Sequence, residues 1–262
     1  MISAGNDIVS LECTDAQRSK QERFYSKILS SAESELYRRK NFTEIPFETF
    51  VWLVWSVKES VYKYQKRIHP ELSFSPRKVI IQNIDLPADP SVSAFGRGQY
   101  EKGSSEKEEY YTCMVRSGQC IFYSRSKIYN ELIHTHVNNE KTFENIWWGI
   151  KYINEPDDIN QSKSVRSFVL NKFSSIFANE AFFANEALEI GTSPIGYPFL
   201  LKAAKEMKIP ISFTHHGHFI GYSFSLPLIQ SVHSINRFFK KAIAPIYQPM
   251  LQIHPEKCIH AH

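Results

Sequence analysis

Nowhere in the 262 residues does an apolar run approach the ~18–20 residues that a membrane-spanning helix needs, so no membrane association is expected. The amino-terminal stretch MISAGNDIVSLECTD has no basic region followed by an apolar one, and no secretory signal is expected. There is no dense Lys/Arg block and no zinc-finger or RNA-binding signature, which argues against a nucleic-acid partner. Cysteine is scarce: the four, at 13, 113, 120 and 258, show no C-x-x-C spacing. Cys113 and Cys120 flank a hairpin turn predicted at Ser117-Gly118, where a two-residue turn sets Cys120 opposite Val115 and not Cys113. No disulfide is implied, and a reducing cytoplasm is the simplest setting. Glycine is modest at 10 residues and 22% of the chain is charged, which is not the composition of a disordered protein.

What is present suits one large domain or two small ones: 42% apolar and 14% aromatic residues. A net charge of +4 is mildly basic and suits an acidic partner or a phosphorylated ligand. Ile8-Val9 reads as a short strand after a tightly turning Gly5, and residues 20–40 read as helical. From Phe47 to Tyr64, apolar residues at 47, 50, 51, 54, 57, 61 and 62 follow a helical period, with Pro46 just ahead. Residues 72–84 lead into a strand, 89–108 read as a surface loop, and EYYTCMVRSGQCIFYSRS reads as a hairpin. The polar stretch 154–164 is the predicted domain boundary, giving halves 1–155 and 156–262. An amphipathic helix follows around Val165–Phe177, then GTSPIGYPFLL as a turn and strand. The segment IPISFTHHGHFIGYSFSLPL reads as two strands joined near His216-Gly217.

Three segments carry possible chemistry. GNDIVSL places Asp7 at a strand start, where a turn or cap residue is the ordinary reading. WSVKESVYK places Glu59 and Lys63 four apart on one helix face, ordinarily a surface ion pair contributing roughly 0.2–0.5 kcal/mol. ISFTHHGHFIGYSFS holds His215, His216 and His218, which could be packing histidines or a zinc site. The tail adds His254, Cys258, His260 and His262, which could chelate a metal or be chance residues of a loose terminus.

Together these segments resemble the 4′-phosphopantetheinyl transferase superfamily, whose pattern is G-x-D near a strand start and W/F-x-x-K-E-[SA]-x-x-K on a helix about fifty residues later. Asp7 and Glu59 are 52 positions apart. Ser212-Phe213-Thr214-His215-His216-Gly217 resembles the S-x-S-H-[SH]-G segment of the surfactin-type branch. Gly196-Tyr197-Pro198 stands for that branch's G-K-P, and Arg166 for its upstream helix arginine. In that branch the serine-histidine half usually comes first; here the two halves stand in exchanged order. Val9 occupies a position where that branch often has a second acid, and Tyr197 replaces the lysine of G-K-P.

The resemblance implies an α+β fold: two similar subdomains related by a pseudo-two-fold, each a small antiparallel sheet packed on a long helix. It implies a monomeric, Mg2+-dependent enzyme of the holo-acyl-carrier-protein synthase type. Such an enzyme moves the 4′-phosphopantetheine arm of coenzyme A to a serine of an apo acyl or peptidyl carrier protein and releases adenosine 3′,5′-bisphosphate. Asp7 and Glu59 are then the metal ligands, with Asp7, Glu59 and Lys63 catalytic, and His215, Thr214, Lys63 and Arg166 hold coenzyme A. Lys58 is left to pair with a neighbouring acid, and Trp55 to core packing. Two other readings compete: a coenzyme A or carrier-protein binding protein of the same fold with weak catalysis, and a zinc hydrolase built on His215, His216 and His218.

Overall fold

The computed structural model describes residues 3–39, 42, 45–89, 95–102, 109–177 and 188–226. The chain begins with strand β1 (Gly5–Ser10), short helices α1 (Ala16–Ser19), α2 (Glu22–Tyr25) and α3 (Ser31–Arg39), and a long helix α4 (Phe47–Ile68). Strands β2 (Val79–Asp85), β3 (Gln99–Glu101), β4 (Tyr111–Ser117), β5 (Cys120–Ile128), β6 (Leu132–Asn138) and β7 (Ile146–Tyr152) follow. A second long helix, α5 (Asp158–Phe177), precedes β8 (Leu188–Thr192), β9 (Pro198–Lys202), β10 (Lys205–His216) and β11 (Phe219–Ser225).

The strands form two antiparallel sheets, ordered β1-β6-β5-β4-β2 and β3-β7-β11-β10-β9-β8. One topology occurs twice. A strand leads to a long helix and then to four strands, the last of which returns to pair with the first: β1, α4, β2, β4, β5, β6 and then β7, α5, β8, β9, β10, β11. The α+β class expected from the sequence is the one observed. The expected division at 155/156 lies between β7 and α5, whereas the second sheet already includes β7 and the inserted β3. The polar stretch that suggested the division includes the exposed first turn of α5.

Apolar periodicity explains both long helices. Phe50, Val51, Leu53, Val54, Val57 and Val61 of α4 are fully buried against the first sheet. Val165, Phe168, Val169, Phe173 and Phe177 of α5 are buried against the second. A third cluster joins the sheets, with Ile8 and Leu132 meeting Trp148, Ile150 and Phe219.

β1 is buried along its whole length, and Gly5 is the reason it can lie so close to α4. A Cβ at Gly5 would stand 2.1 Å from the Ser60 carbonyl oxygen and 2.9 Å from the Tyr64 nitrogen. Gly5 does not have a positive φ, so the expected tight turn is corrected to a close approach of strand and helix. Gly5→Ala is therefore expected to cost at least about 1–3 kcal/mol, because the obstruction is helix backbone that cannot rotate aside. An unchanged urea midpoint for that variant would contradict this packing.

Other expectations change in detail. The helix expected over 20–40 is broken into short pieces, with Asp15 capping α1 by accepting from the Arg18 amide at 2.9 Å. The expected loop 89–108 contains β3, whose three residues are too few to show an alternating pattern. The hairpin turn falls at Gly118-Gln119, so Cys120 faces Ser117, not Val115, and Cys113 faces Ser124. Cys13, Cys113 and Cys120 are free thiols. Among the described residues no helix is long and apolar enough to cross a membrane. The histidine- and cysteine-bearing tail lies outside the described residues.

Candidate active site

Strand β1 is an edge strand of its sheet, and side chains of β10 cap its outer amides. The Ile8 amide donates to Thr214 Oγ1 at 2.9 Å, and the Ser10 amide donates to His216 Nδ1 at 3.0 Å. Thr214 has one hydroxyl proton, and it goes to Asp7 Oδ1 at 3.2 Å. The second half of the chain thereby holds a carboxylate of the first, across 207 residues of sequence. A Cβ on Gly221 would meet the Ile8 side chain at 2.7 Å, so β11 also closes on β1.

From the helix side, Lys63 Nζ donates to Asp7 Oδ1 at 2.9 Å and lies 3.6 Å from Glu59 Oε1. Asp7 is 4% exposed, and its Oδ2 is buried with no hydrogen-bond partner among the described residues. Burial pulls the Lys63 pKa down, but the Asp7 and Glu59 charges and their hydrogen bonds outweigh it, so the ammonium is held above its ordinary value. Burial pushes Glu59 up, and the Asp7 charge adds to it; Lys63 and a hydrogen bond to Trp55 oppose without reversing the shift. Asp7, Glu59 and Lys63 thus form one ion-pair cluster in which Lys63 is shared by two carboxylates.

The expected ion pair of Glu59 and Lys63 is present, and Asp7 joins it. An open cavity of ≈ 390 Å³ adjoins this cluster, lined by Lys63 and Arg67 of α4, Arg166 of α5, Gly196-Tyr197-Pro198, Ser212 and His215. It thus draws on both halves of the chain. Arg166 lines it, braced by Ile190 O at 3.0 Å and Thr192 Oγ1 at 2.7 Å. His215 also lines it; burial lowers its pKa, and Lys63 and His216 add to this while Asp158 and Asp7 oppose it without reversing the shift.

Thr214 is the expectation that changes. It is not among the cavity's described lining residues, is 3% exposed, and gives its only proton to Asp7. The zinc reading also loses its basis. His216 accepts the Ser10 amide, and His218 bonds the Ile153 carbonyl at 2.9 Å while stacking on Tyr152. Among the described residues no three His, Cys, Asp or Glu side chains are grouped to hold a metal ion.

Lys58 does pair with an acid: fully buried, its Nζ lies 2.8 Å from Glu33 Oε2 and 2.7 Å from Ile28 O. Glu33 was not singled out in the sequence, although Ser30-Ser31-Ala32-Glu33 has capping-box spacing. The reciprocal bonds are there, from the Ser30 amide to Glu33 at 2.7 Å and from the Glu33 amide to Ser30 Oγ at 3.2 Å. Trp55 is partly buried, edge-on to Trp52 and Phe74, on the rim of the first core.

Residues 3–113 match the family model of the 4′-phosphopantetheinyl transferase superfamily. No curated protein and no solved structure matches the chain. The family match takes in Asp7, Glu59 and Lys63, together with the close approach of β1 and α4 that assembles them. Phosphopantetheine transfer, the general activity of this superfamily, is the chemistry the match points to. His215, Thr214 and Arg166 lie beyond the matched stretch, and geometry alone connects them to it.

Proposed function

We propose that the chain transfers the 4′-phosphopantetheine arm of coenzyme A to a serine of an apo acyl or peptidyl carrier protein. The observation that carries this reading is the meeting of Asp7, Glu59 and Lys63 beside a cavity that both halves line. The cavity's volume is in the range of nucleotide-sized ligand sites, and the sides given by Arg166, Arg67 and Lys63 suit a phosphorylated one. Because one chain supplies every part of the site, the reading is of a monomer. Free thiols at Cys13, Cys113 and Cys120 suit a reducing cytoplasm.

The carboxylates fit Mg2+. This hard ion takes oxygen ligands and needs only one or two protein carboxylates, and the unpartnered, buried Oδ2 of Asp7 is such an oxygen. Asp7 and Glu59 would hold the ion, which when bound neutralises phosphate charge. Val9 is 2% exposed in the first core and adds no ligand.

In the transfer, the carrier serine oxygen forms a bond to the phosphorus of the phosphopantetheine arm, and the bond from that phosphorus to the departing adenosine 3′,5′-bisphosphate oxygen breaks. Glu59, directly or through a water, accepts the serine proton. Lys63 stays protonated between the two carboxylates and faces the departing phosphate, where its charge and proton are available. His215 and Arg166 hold the nucleotide end.

The test is incubation of the protein with coenzyme A, Mg2+ and a panel of apo carrier proteins, read by intact mass. Coenzyme A binding without any mass gain would instead favour a binding protein of the same fold, and failure to bind coenzyme A would sink both readings. The pH profile is a sharper check. Glu59 acts deprotonated, so activity should fall as the pH drops through its pKa. Lys63 acts protonated, so the alkaline fall should lie above the ordinary 10.5. An acid limb that survives unchanged in Glu59→Gln would remove Glu59 from the role of base.

A further inference from the structure

Four cations line the cavity between the halves, Lys63, Lys66, Arg67 and Arg166, and none of its described lining residues is acidic. They differ in what holds them. Lys63 is shared between Asp7 and Glu59. Lys66 Nζ caps the carbonyls of Pro70 and Leu72. Each guanidinium nitrogen of Arg166 already has a partner, in Ser162, Ile190 or Thr192. Arg67 is the exception. Its Nη2 donates to Pro198 O and, at 3.0 Å, to Ile211 O, while Nη1 and Nε make no hydrogen bond among the described residues. The plane is fixed as well as free: the guanidinium lies over the Tyr197 ring, 4.3 Å from its centroid.

We propose that Arg67 is the principal anion-binding residue of this cavity, offering its unpartnered N–H groups to a phosphate of the substrate. The proposal rests on the reading of the cavity as the coenzyme A site. Two backbone carbonyls and one aromatic face set the guanidinium before a ligand arrives, so little side-chain freedom is lost on binding. The cavity thereby keeps a cation against Tyr197, where the sequence pattern has lost its lysine. Arg67 also ties α4 of the first half to β9 and β10 of the second, so the site and the junction of the halves share one side chain.

Calorimetric titration of inorganic pyrophosphate and of coenzyme A into the full chain tests this, with Arg67→Gln and Arg67→Lys alongside. Loss of charge-assisted hydrogen bonds should weaken both ligands about ten- to hundred-fold in Arg67→Gln. Arg67→Lys, which keeps the charge and fewer donors, should lose several-fold and covers the case in which Arg67→Gln fails to fold, as melting curves will show. Unchanged affinity for both ligands in a folded variant would overturn the proposal. Pyrophosphate binding that depends on Arg67, with no coenzyme A binding in the unsubstituted chain, would support the anion site while removing the coenzyme A reading.

Discussion

Glu59→Gln is expected to lower the turnover of phosphopantetheine transfer by about 10²–10⁴-fold, the usual contribution of a positioned general base, while the protein stays folded. The side chain is partly exposed and its ion pair with Lys63 spans 3.6 Å, so its removal leaves no deeply buried charge alone. Asp7 differs. It is almost fully buried, and Lys63 and Thr214 both donate to it, so Asp7→Ala should lose stability as well as activity. Asp7→Asn is the cleaner variant, since it keeps the shape and removes the charge that Lys63 answers. Thr214→Val should follow Asp7→Asn at reduced amplitude, with Thr214→Ser restoring function. Turnover within a few-fold of the unsubstituted protein for both Glu59→Gln and Asp7→Asn, at saturating Mg2+, would remove the carboxylates from the mechanism.

Lys58→Met should be the most destabilising single change in α4. It would leave Glu33 charged at 0% exposure, still accepting from the Ser30 and Ile81 amides but without its cation. Removing one partner of a buried pair typically costs 3–5 kcal/mol, on the order of the whole stability of many domains. Adding Glu33→Gln should return much of the loss, because the uncompensated charge and not the missing contact is the main penalty. Urea unfolding of the single and double variants measures both; a Lys58→Met midpoint matching the unsubstituted protein would sink this account. The burial that dominates the lowered pKa of Lys58 is the same desolvation that makes its pairing necessary. The adjacent residues of the K-E-S motif therefore have different partners: Lys58 anchors α4 to the segment around α3, and Glu59 pairs with Lys63.

Much of this molecule is legible without coordinates, because the signals are local. The 3.6-residue spacing of Phe50, Val54, Val57 and Val61 marks α4 and also fixes that Glu59 and Lys63 share a face. The Gly217 turn marks the β10–β11 hairpin, with φ +57 at that glycine. Three-residue β3 and the change of sheet before β7 carried no such signal, since neither interrupts composition or period.

What stays hidden in the sequence is which long-range neighbours meet. Ser-x-Thr-His-His-Gly reads alike whether Thr214 meets a ligand or a carboxylate; the seating of β10 beside β1 assigns it to Asp7 and leaves His215 to the cavity. Arg67 reads as one more cation in the last turn of a helix until β9 and β10 bring two carbonyls and Tyr197 against it. Residue order alone therefore determined two long helices, the β4–β5 and β10–β11 hairpins, and a carboxylate–lysine pair on one helix face, while β6 and β7 went unread. Tertiary structure decided the third member of that cluster, the cavity and its cations, because these depend on how closely β1 approaches α4 and the strands of the second half. That distance is set by side chains that are absent, at Gly5 against Ser60 and at Gly221 against Ile8.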